Sequence, residues 1–311
     1  LFHYQSDPSN FSPLHQKYPA SQAPAESICH LFFIPQRSSN KVKKVYLDLL
    51  KSLGVALILA YLGLALFAWL FAYRLIFPVP QTSYTENSNL IHLSTPSNTS
   101  ITALYLPNPQ ARAIIFFHHG NGEDLGHIYN RLLTYQKNGY AVFAYDYPGY
   151  GLSGGKPSEA TVFEASDLVA EYLHTELKWA RCDTILYGRS LGGGPATRLA
   201  TQYAFGGLIL EASFTSTFRV LTKHSFLPWD YFNNLSRIGN IKSPLLVIHG
   251  TEDKTVPFIH AQQLLNAAPL HNRFLWIDGA GHNDIPESTP LIYWDTVNEF
   301  IRTIQKQKPA L

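Results

Sequence analysis

Ser190 stands at the centre of Gly188-Arg189-Ser190-Leu191-Gly192, straight after the apolar run TILY and just before a glycine-rich segment that opens a helical stretch. On a strand-to-helix turn of this kind a serine is lifted above the C-terminal edge of a sheet. Glycines are needed on either side because a Cβ in so tight a bend would clash. The backbone N–H of Leu191, at the helix start, then points toward an oxyanion forming on a substrate. A serine hydroxyl is a poor nucleophile unaided: a histidine must accept its proton and a carboxylate must orient that histidine. After a serine so placed, the acid and then the histidine follow in chain order. HGTEDKTVP follows the run LLVI and puts Asp253 in a loop, and DGAGHND follows FLWI and puts His282 in the next. Glu252 and Asp278 are rival acids and Asp284 a weaker one; Asp253 is favoured because its loop directly follows a central strand. His249 and His271 are rival bases, but His249 ends a buried strand and reads as a packed core histidine.

The segment FFHHGNGEDLG ends a strand at His118 and His119. Gly120 lets the backbone turn sharply there, so the N–H of Asn121 can face the site beside that of Leu191. Each such donor removes about 3 kcal/mol of barrier. His118, His119, Glu123, Asp124 and His127 crowd this segment but lack the HExxH helix spacing of a metal site. Gly149 to Gly154 formally match GxGxxG, yet no helix opens directly after them, and GGKP lacks the Ser or Thr of a phosphate loop. A tight turn is expected instead, and neither metal nor organic cofactor.

These residues need a sheet edge to bring them together. Short apolar runs alternate with longer mixed segments after Pro78 and Pro80, the rhythm of an α/β fold. Strands are expected at 89–93, 101–106, 113–117, 141–145, 184–187, 207–210, 245–249 and 274–277. The runs IIFF, AVFAY, TILY, LIL and LLVI are apolar throughout, as central strands buried on both faces require. Helices are expected at 125–137, 160–177, 193–203, 258–267 and 291–304.

Charged residues are 15% and hydrophobic residues 46% of the chain, which excludes a charged disordered protein and leaves ample core material. A net charge of +2 lacks the electrostatic footprint of a nucleic-acid binder, so no nucleic-acid partner is expected. Cys29 and Cys182 are too few for a disulfide scaffold and have no zinc spacing. The absence of Met, with Leu at position 1, reads as a processed, truncated or edited chain. Residues 1–40 have the composition of a disordered polar tail. Residues 41–80 form a basic juxtamembrane segment and a transmembrane helix, whose uncharged run 52–73 covers about 33 Å at 1.5 Å per residue. With 51 residues ahead of it, an uncleaved signal anchor fits better than a cleaved signal peptide. Arg37, Lys41, Lys43, Lys44 and Lys51 crowd the N-terminal flank against Arg74 on the other, which places the tail in the cytoplasm and residues 81–311 outside it.

Taken together, GRSLGG, FFHHGNGED, YDYPGYGLSGGKPSE, HGTEDKTVP and GAGHNDI resemble the α/β-hydrolase superfamily, and more narrowly its membrane-anchored, Bem-type branch of α/β-hydrolase-domain-containing proteins. The resemblance covers residues 85–305. It implies an α/β-hydrolase fold, with a mostly parallel sheet of about eight strands flanked by helices and a small cap at 214–242. It implies Ser190 as nucleophile, Asp253 as acid, His282 as base, and Asn121 with Leu191 as oxyanion hole. The implied activity is serine hydrolysis of carboxylic esters or thioesters with no cofactor, and the membrane tether nearby points to small, lipid-derived acyl substrates. A serine peptidase and a non-catalytic binding protein on the same fold are the alternatives. Phe214, Phe218, Phe226, Leu227, Trp229, Tyr231 and Phe232 of the cap either line an acyl pocket or pack the cap onto the sheet.

Overall fold

A computed structural model describes residues 37–222, 224, 226–269 and 272–306. Most of the expected polar tail, with Cys29, and the rival base His271 lie outside the described residues. The chain divides into two compact units, Leu1–Tyr61 and Leu62–Leu311.

Helix α1 (Arg37–Ile76) runs through the expected span and beyond it at both ends. The preceding KVKKVYLDLLK is made largely of good helix formers, so the helix starts well before the uncharged run. It ends before Pro78, which cannot continue it. The stretch Asn40–Ile76 is long and apolar enough to cross a membrane. In the first unit its apolar side chains, such as Leu53 and Leu57, are exposed.

In the second unit the elements after α1 run β1 (Leu90–Ser94), β2 (Ser100–Leu106), β3 (Ile114–His118), α2 (Leu125–Lys137), β4 (Ala141–Tyr145), α3 (Glu159–Thr175), β5 (Thr184–Arg189), α4 (Gly193–Gln202) and β6 (Gly207–Glu211). They continue as α5 (Thr217–Thr222), α6 (Asn234–Ile238), β7 (Leu245–Gly250), α7 (Ile259–Ala267), β8 (Arg273–Ile277), α8 (Ile285–Ser288) and α9 (Pro290–Lys306). The eight strands form one sheet in the order β1-β2-β4-β3-β5-β6-β7-β8. Strands β1 and β2 are antiparallel to their neighbours, and β3 to β8 run parallel to one another. This is the α/β-hydrolase fold the motifs imply; β4 lies where expected and the other expected strands differ from the observed ones by one or two residues at their ends.

Every residue of β3, β4, β5, β6 and β7 is buried, because helices cover both faces. Phe116, Phe143, Leu186, Leu210 and Val247 pack on one face with residues of α3, α4 and α6. Ile115, Phe117, Val142, Tyr187, Ile209 and Ile248 pack on the other with α2 and α9. Each large side chain so buried contributes about 1.5–3 kcal/mol. Ala72, Ile76 and Phe77, at the end of α1, are buried in the first of these clusters. Helix α3 begins at a capping box formed by Ser158 and Thr161 and ends two residues earlier than expected, before Lys178 with φ +60°. Between β6 and β7, where the cap is expected, there are two short helices, α5 and α6.

Candidate active site

Parallel strands deliver their C-terminal ends to one edge, and the loops there carry the chemistry. Strand β5 ends at Arg189, and Ser190 follows in the left-handed region at φ +50°. A side chain there costs about 1–2 kcal/mol. The surroundings enforce it: a Cβ on Gly188 would come within 2.7 Å of Gly192 O and Gly193 Cα, and one on Gly192 would run into the His118 carbonyl. Only glycine allows the chain to fold so sharply here.

Asp253 lies in the loop after β7 and His282 in the loop after β8. His282 Nε2 is 3.1 Å from Ser190 Oγ, and His282 Nδ1 is 2.7 Å from Asp253 Oδ2. Asp253 Oδ1 accepts the N–H groups of Thr255 and Val256, each at 2.8 Å. Burial works against its charge, but hydrogen bonds from His249, His282 and the Val256 N–H outweigh burial and hold the carboxyl well below the usual carboxylate range. An ionised Asp253 keeps the His282 proton on Nδ1, leaving Nε2 free to accept from the serine hydroxyl.

The rivals stand elsewhere. Glu252 and Asp278 are exposed, Asp278 accepting from Thr251. Asp284 accepts the Gly281 N–H and the Ser288 hydroxyl at the start of α8. His249 is fully buried, its Nε2 2.9 Å from the Val256 carbonyl and 3.3 Å from Asp253, so it buttresses the acid.

The loop after β3 is held from several sides. His119 Nδ1 donates to Gly120 O at 2.7 Å, Tyr147 OH to His119 O at 2.6 Å, and Tyr150 OH to Asn121 O at 2.7 Å. Glu123 accepts the Gly120 N–H at 2.9 Å, and Asp124 caps α2 by accepting the His127 N–H at 3.0 Å. Asn121, Ser190 and Leu191 border one cavity of about 190 Å³. Its apolar wall comes from Leu75, Ile76, Phe214, Phe218, Val220 and Leu221. A second cavity, of about 400 Å³, lies beside Tyr84 and Leu125 and contains none of the expected site residues. Of the seven cap side chains, Phe214 and Phe218 line the Ser190 cavity. Phe232 instead packs against Gly194 and, edge to face, against Phe77, while Phe226 is exposed.

Sequence reasoning passed over Arg189, which sits at a variable position of GxSxG. Its buried guanidinium is 2.7 Å from Glu123 Oε1 and 2.6 Å from Asn283 Oδ1, with Nε 3.4 Å from Glu211. Burial opposes ionisation of Glu123, but Arg189 overcomes it and lowers that carboxyl. The available signal was a cation in an otherwise apolar strand end, which has to find a partner.

The family described as serine aminopeptidase, S33, matches residues 109–225. Alpha/beta hydrolase domain-containing protein 17C of Mus musculus is 36% identical over 181 residues, covering 57% of this chain and 56% of its own length. Alpha/beta hydrolase domain-containing protein 17B of Xenopus tropicalis is 37% identical over 182 residues, covering 57% and 63%. The chain thus spans less than two thirds of the length of these relatives. An esterase of Pyrococcus furiosus superposes with a TM-score of 0.58 at 19% identity, over 72% of this chain and 98% of that one. An alpha-beta serine hydrolase homologue from Coxiella burnetii gives 0.55 at 16%, over 71% and 99%. The sheet order, the sharp turn after β5 and these likenesses agree: the chain has the α/β-hydrolase fold and is similar to alpha/beta hydrolase domain-containing proteins.

Proposed function

We propose that this protein is a membrane-anchored serine hydrolase that cleaves carboxylic esters or thioesters of acyl groups. The observation that carries this reading is the hydrogen-bonded relay Asp253–His282–Ser190, at 2.7 and 3.1 Å, raised on a left-handed turn. In the proposed cycle Ser190 Oγ attacks the acyl carbonyl while His282 Nε2 takes its proton. The N–H groups of Asn121 and Leu191 receive the oxyanion. His282 then gives the proton to the departing alcohol or thiol, leaving an acyl-serine ester. Water, deprotonated by His282, attacks that ester and releases the acid. Asp253 stays ionised and stabilises the imidazolium at each transfer.

The apolar cavity wall supports an acyl substrate. The helix that ends at Ile76 supplies the anchor, and the lysines at its N-terminal end support a cytoplasmic N-terminus with the hydrolase domain on the other side. Protease protection of residues 81–311 in sealed vesicles tests that orientation, and cleavage from the cytoplasmic face would reverse it.

The serine aminopeptidase description of the matching family favours a second reading, peptide hydrolysis. An aminopeptidase needs a carboxylate to receive the free amine, and among its described lining residues the Ser190 cavity has none. A panel of p-nitrophenyl esters, thioesters and aminoacyl anilides, with Ser190→Ala as blank, separates the readings. Esters or thioesters turned over above the blank, with anilides inert, is the expected result; the reverse would favour the peptidase.

A further inference from the structure

The end of α1 does more in this structure than lead into the hydrolase domain. The last carbonyls of a helix have no intrahelical donor and need an outside partner. Ile76 O finds one in the Asn121 side chain, whose Nδ2 donates to it at 3.2 Å. Asn121 is also the residue whose backbone N–H is assigned above to the oxyanion hole. Ile76 is nearly buried, and Phe77 beside it is wedged edge to face against Phe232, so this turn is fixed by packing as well as by the cap. Leu75 and Ile76 form part of the wall of the Ser190 cavity, together with Phe218 and Leu221 of α5. Two of the wall residues, Leu75 and Leu221, are 61% and 80% exposed, so large apolar groups stand open at the mouth of a cavity with a nucleophile at its floor. From that mouth the exposed leucines 62, 64, 66 and 70 continue along α1.

We infer that Leu75 and Ile76 are specificity-determining residues: the last turn of α1 forms the wall against which an aliphatic acyl chain lies, and it sets the chain length the enzyme prefers. The inference rests on the proposed ester hydrolysis at Ser190. A straight hydrocarbon chain is the group this wall fits, because it offers apolar contact along its length and covers Leu75 and Leu221 when it is long enough to reach the mouth. The Asn121–Ile76 hydrogen bond keeps the wall in register with the oxyanion loop, so acyl packing and carbonyl placement are set together.

The test uses the full-length protein in detergent micelles with p-nitrophenyl acetate, butyrate and octanoate, so that only the acyl group changes. Leu75→Trp narrows the cavity and should lower the octanoate-to-acetate ratio of kcat/KM at least tenfold, within the range set by methylene-sized changes in apolar pockets. Ile76→Ala widens it while keeping the backbone carbonyl that Asn121 caps, and should move the preference toward the longer chain. Leu66→Trp, on α1 but away from the cavity, should keep the wild-type profile. Fluorophosphonate labelling counts competent sites in each preparation, and if Leu75→Trp fails to fold, Ile76→Ala decides alone. Ratios within twofold of wild type in the variants that label would overturn the inference and leave ester hydrolysis standing. A wild-type protein that neither labels nor hydrolyses would remove both.

Discussion

Arg189 Nη1 lies 2.7 Å from Glu123 Oε1 and so ties the residue before the candidate nucleophile to the loop that carries Asn121. The same guanidinium reaches Asn283 at 2.6 Å, next to His282. One side chain thereby spans three loops of the site. Replacing it by methionine strips half-buried Glu123 of its cation and takes from fully buried Glu211 one of its two. Arg189→Met is expected to cost about 3–5 kcal/mol of stability and to lower kcat more than tenfold, with Arg189→Lys in between. Denaturant unfolding and ester hydrolysis measured on the same samples check both.

Asp253→Asn preserves the size of the acid and removes its charge. The amide can present N–H toward His282 Nδ1, which favours the tautomer with its proton on Nε2, facing Ser190. A fall in kcat of roughly 10⁴ with little change in KM is expected. Steady-state kinetics with one ester at neutral pH reads it directly; a loss confined to KM would contradict the orienting role.

The buried carboxyl of Asp146 is pushed up to about 7 by burial, which the hydrogen bonds from Tyr84 OH and the Leu125 N–H only partly offset. The folded protein therefore keeps this proton up to about that pH, while an unfolded aspartate releases it near 3.8. Between those values the unfolded state binds fewer protons, so this group makes stability fall as pH rises and level off above the folded value. Asp146→Asn should abolish that slope, changing the difference from wild type by up to roughly 4 kcal/mol across the interval. Asp253 has the opposite sign: its contribution is present above the unfolded pKa and is lost as pH falls through its depressed folded value. Unfolding curves at pH 4.5 and 8 for both proteins separate the two.

Gly188 and Gly63 make a contrasting pair. A methyl group on Gly188 meets backbone at 2.7 Å, whereas one on Gly63 meets nothing within 4 Å. Gly188→Ala should lose about 1–3 kcal/mol of stability and most of its hydrolytic rate, because the turn that lifts Ser190 must open. Gly63→Ala, in the middle of a helix, should be neutral or stabilising by up to about 1 kcal/mol. Thermal unfolding and hydrolysis rates of the two variants distinguish a local clash from a general intolerance of added methyl groups.

Much of the sheet was legible because its central strands are buried on both faces and so appear as unbroken apolar runs such as IIFF and LLVI. Ser190, Asp253 and His282 were legible as loops directly following such runs, and the structure brings the three side chains within hydrogen-bonding distance. The strand order, in which β4 lies between β2 and β3, was not, since it depends on contacts distant in sequence. Arg189 was hidden by a motif that leaves its position unspecified, and its partners Glu123, Glu211 and Asn283 come from three separate loops and strand ends. The wall formed by Leu75 and Ile76 was hidden for another reason. An apolar helix end looks the same in sequence whether it faces lipid, packs on a core or lines a cavity; only the Asn121 contact and the adjoining cavity distinguish the last.

The account depends most on the Ser190 hydroxyl being a nucleophile activated by His282. Labelling the full-length protein with a fluorophosphonate probe and locating the adduct by peptide mass spectrometry tests this directly. The predicted result is a single adduct on Ser190, absent from Ser190→Ala and strongly slowed in His282→Ala. Labelling that persists in Ser190→Ala, or a wild-type protein that stays unlabelled while folded, would contradict it.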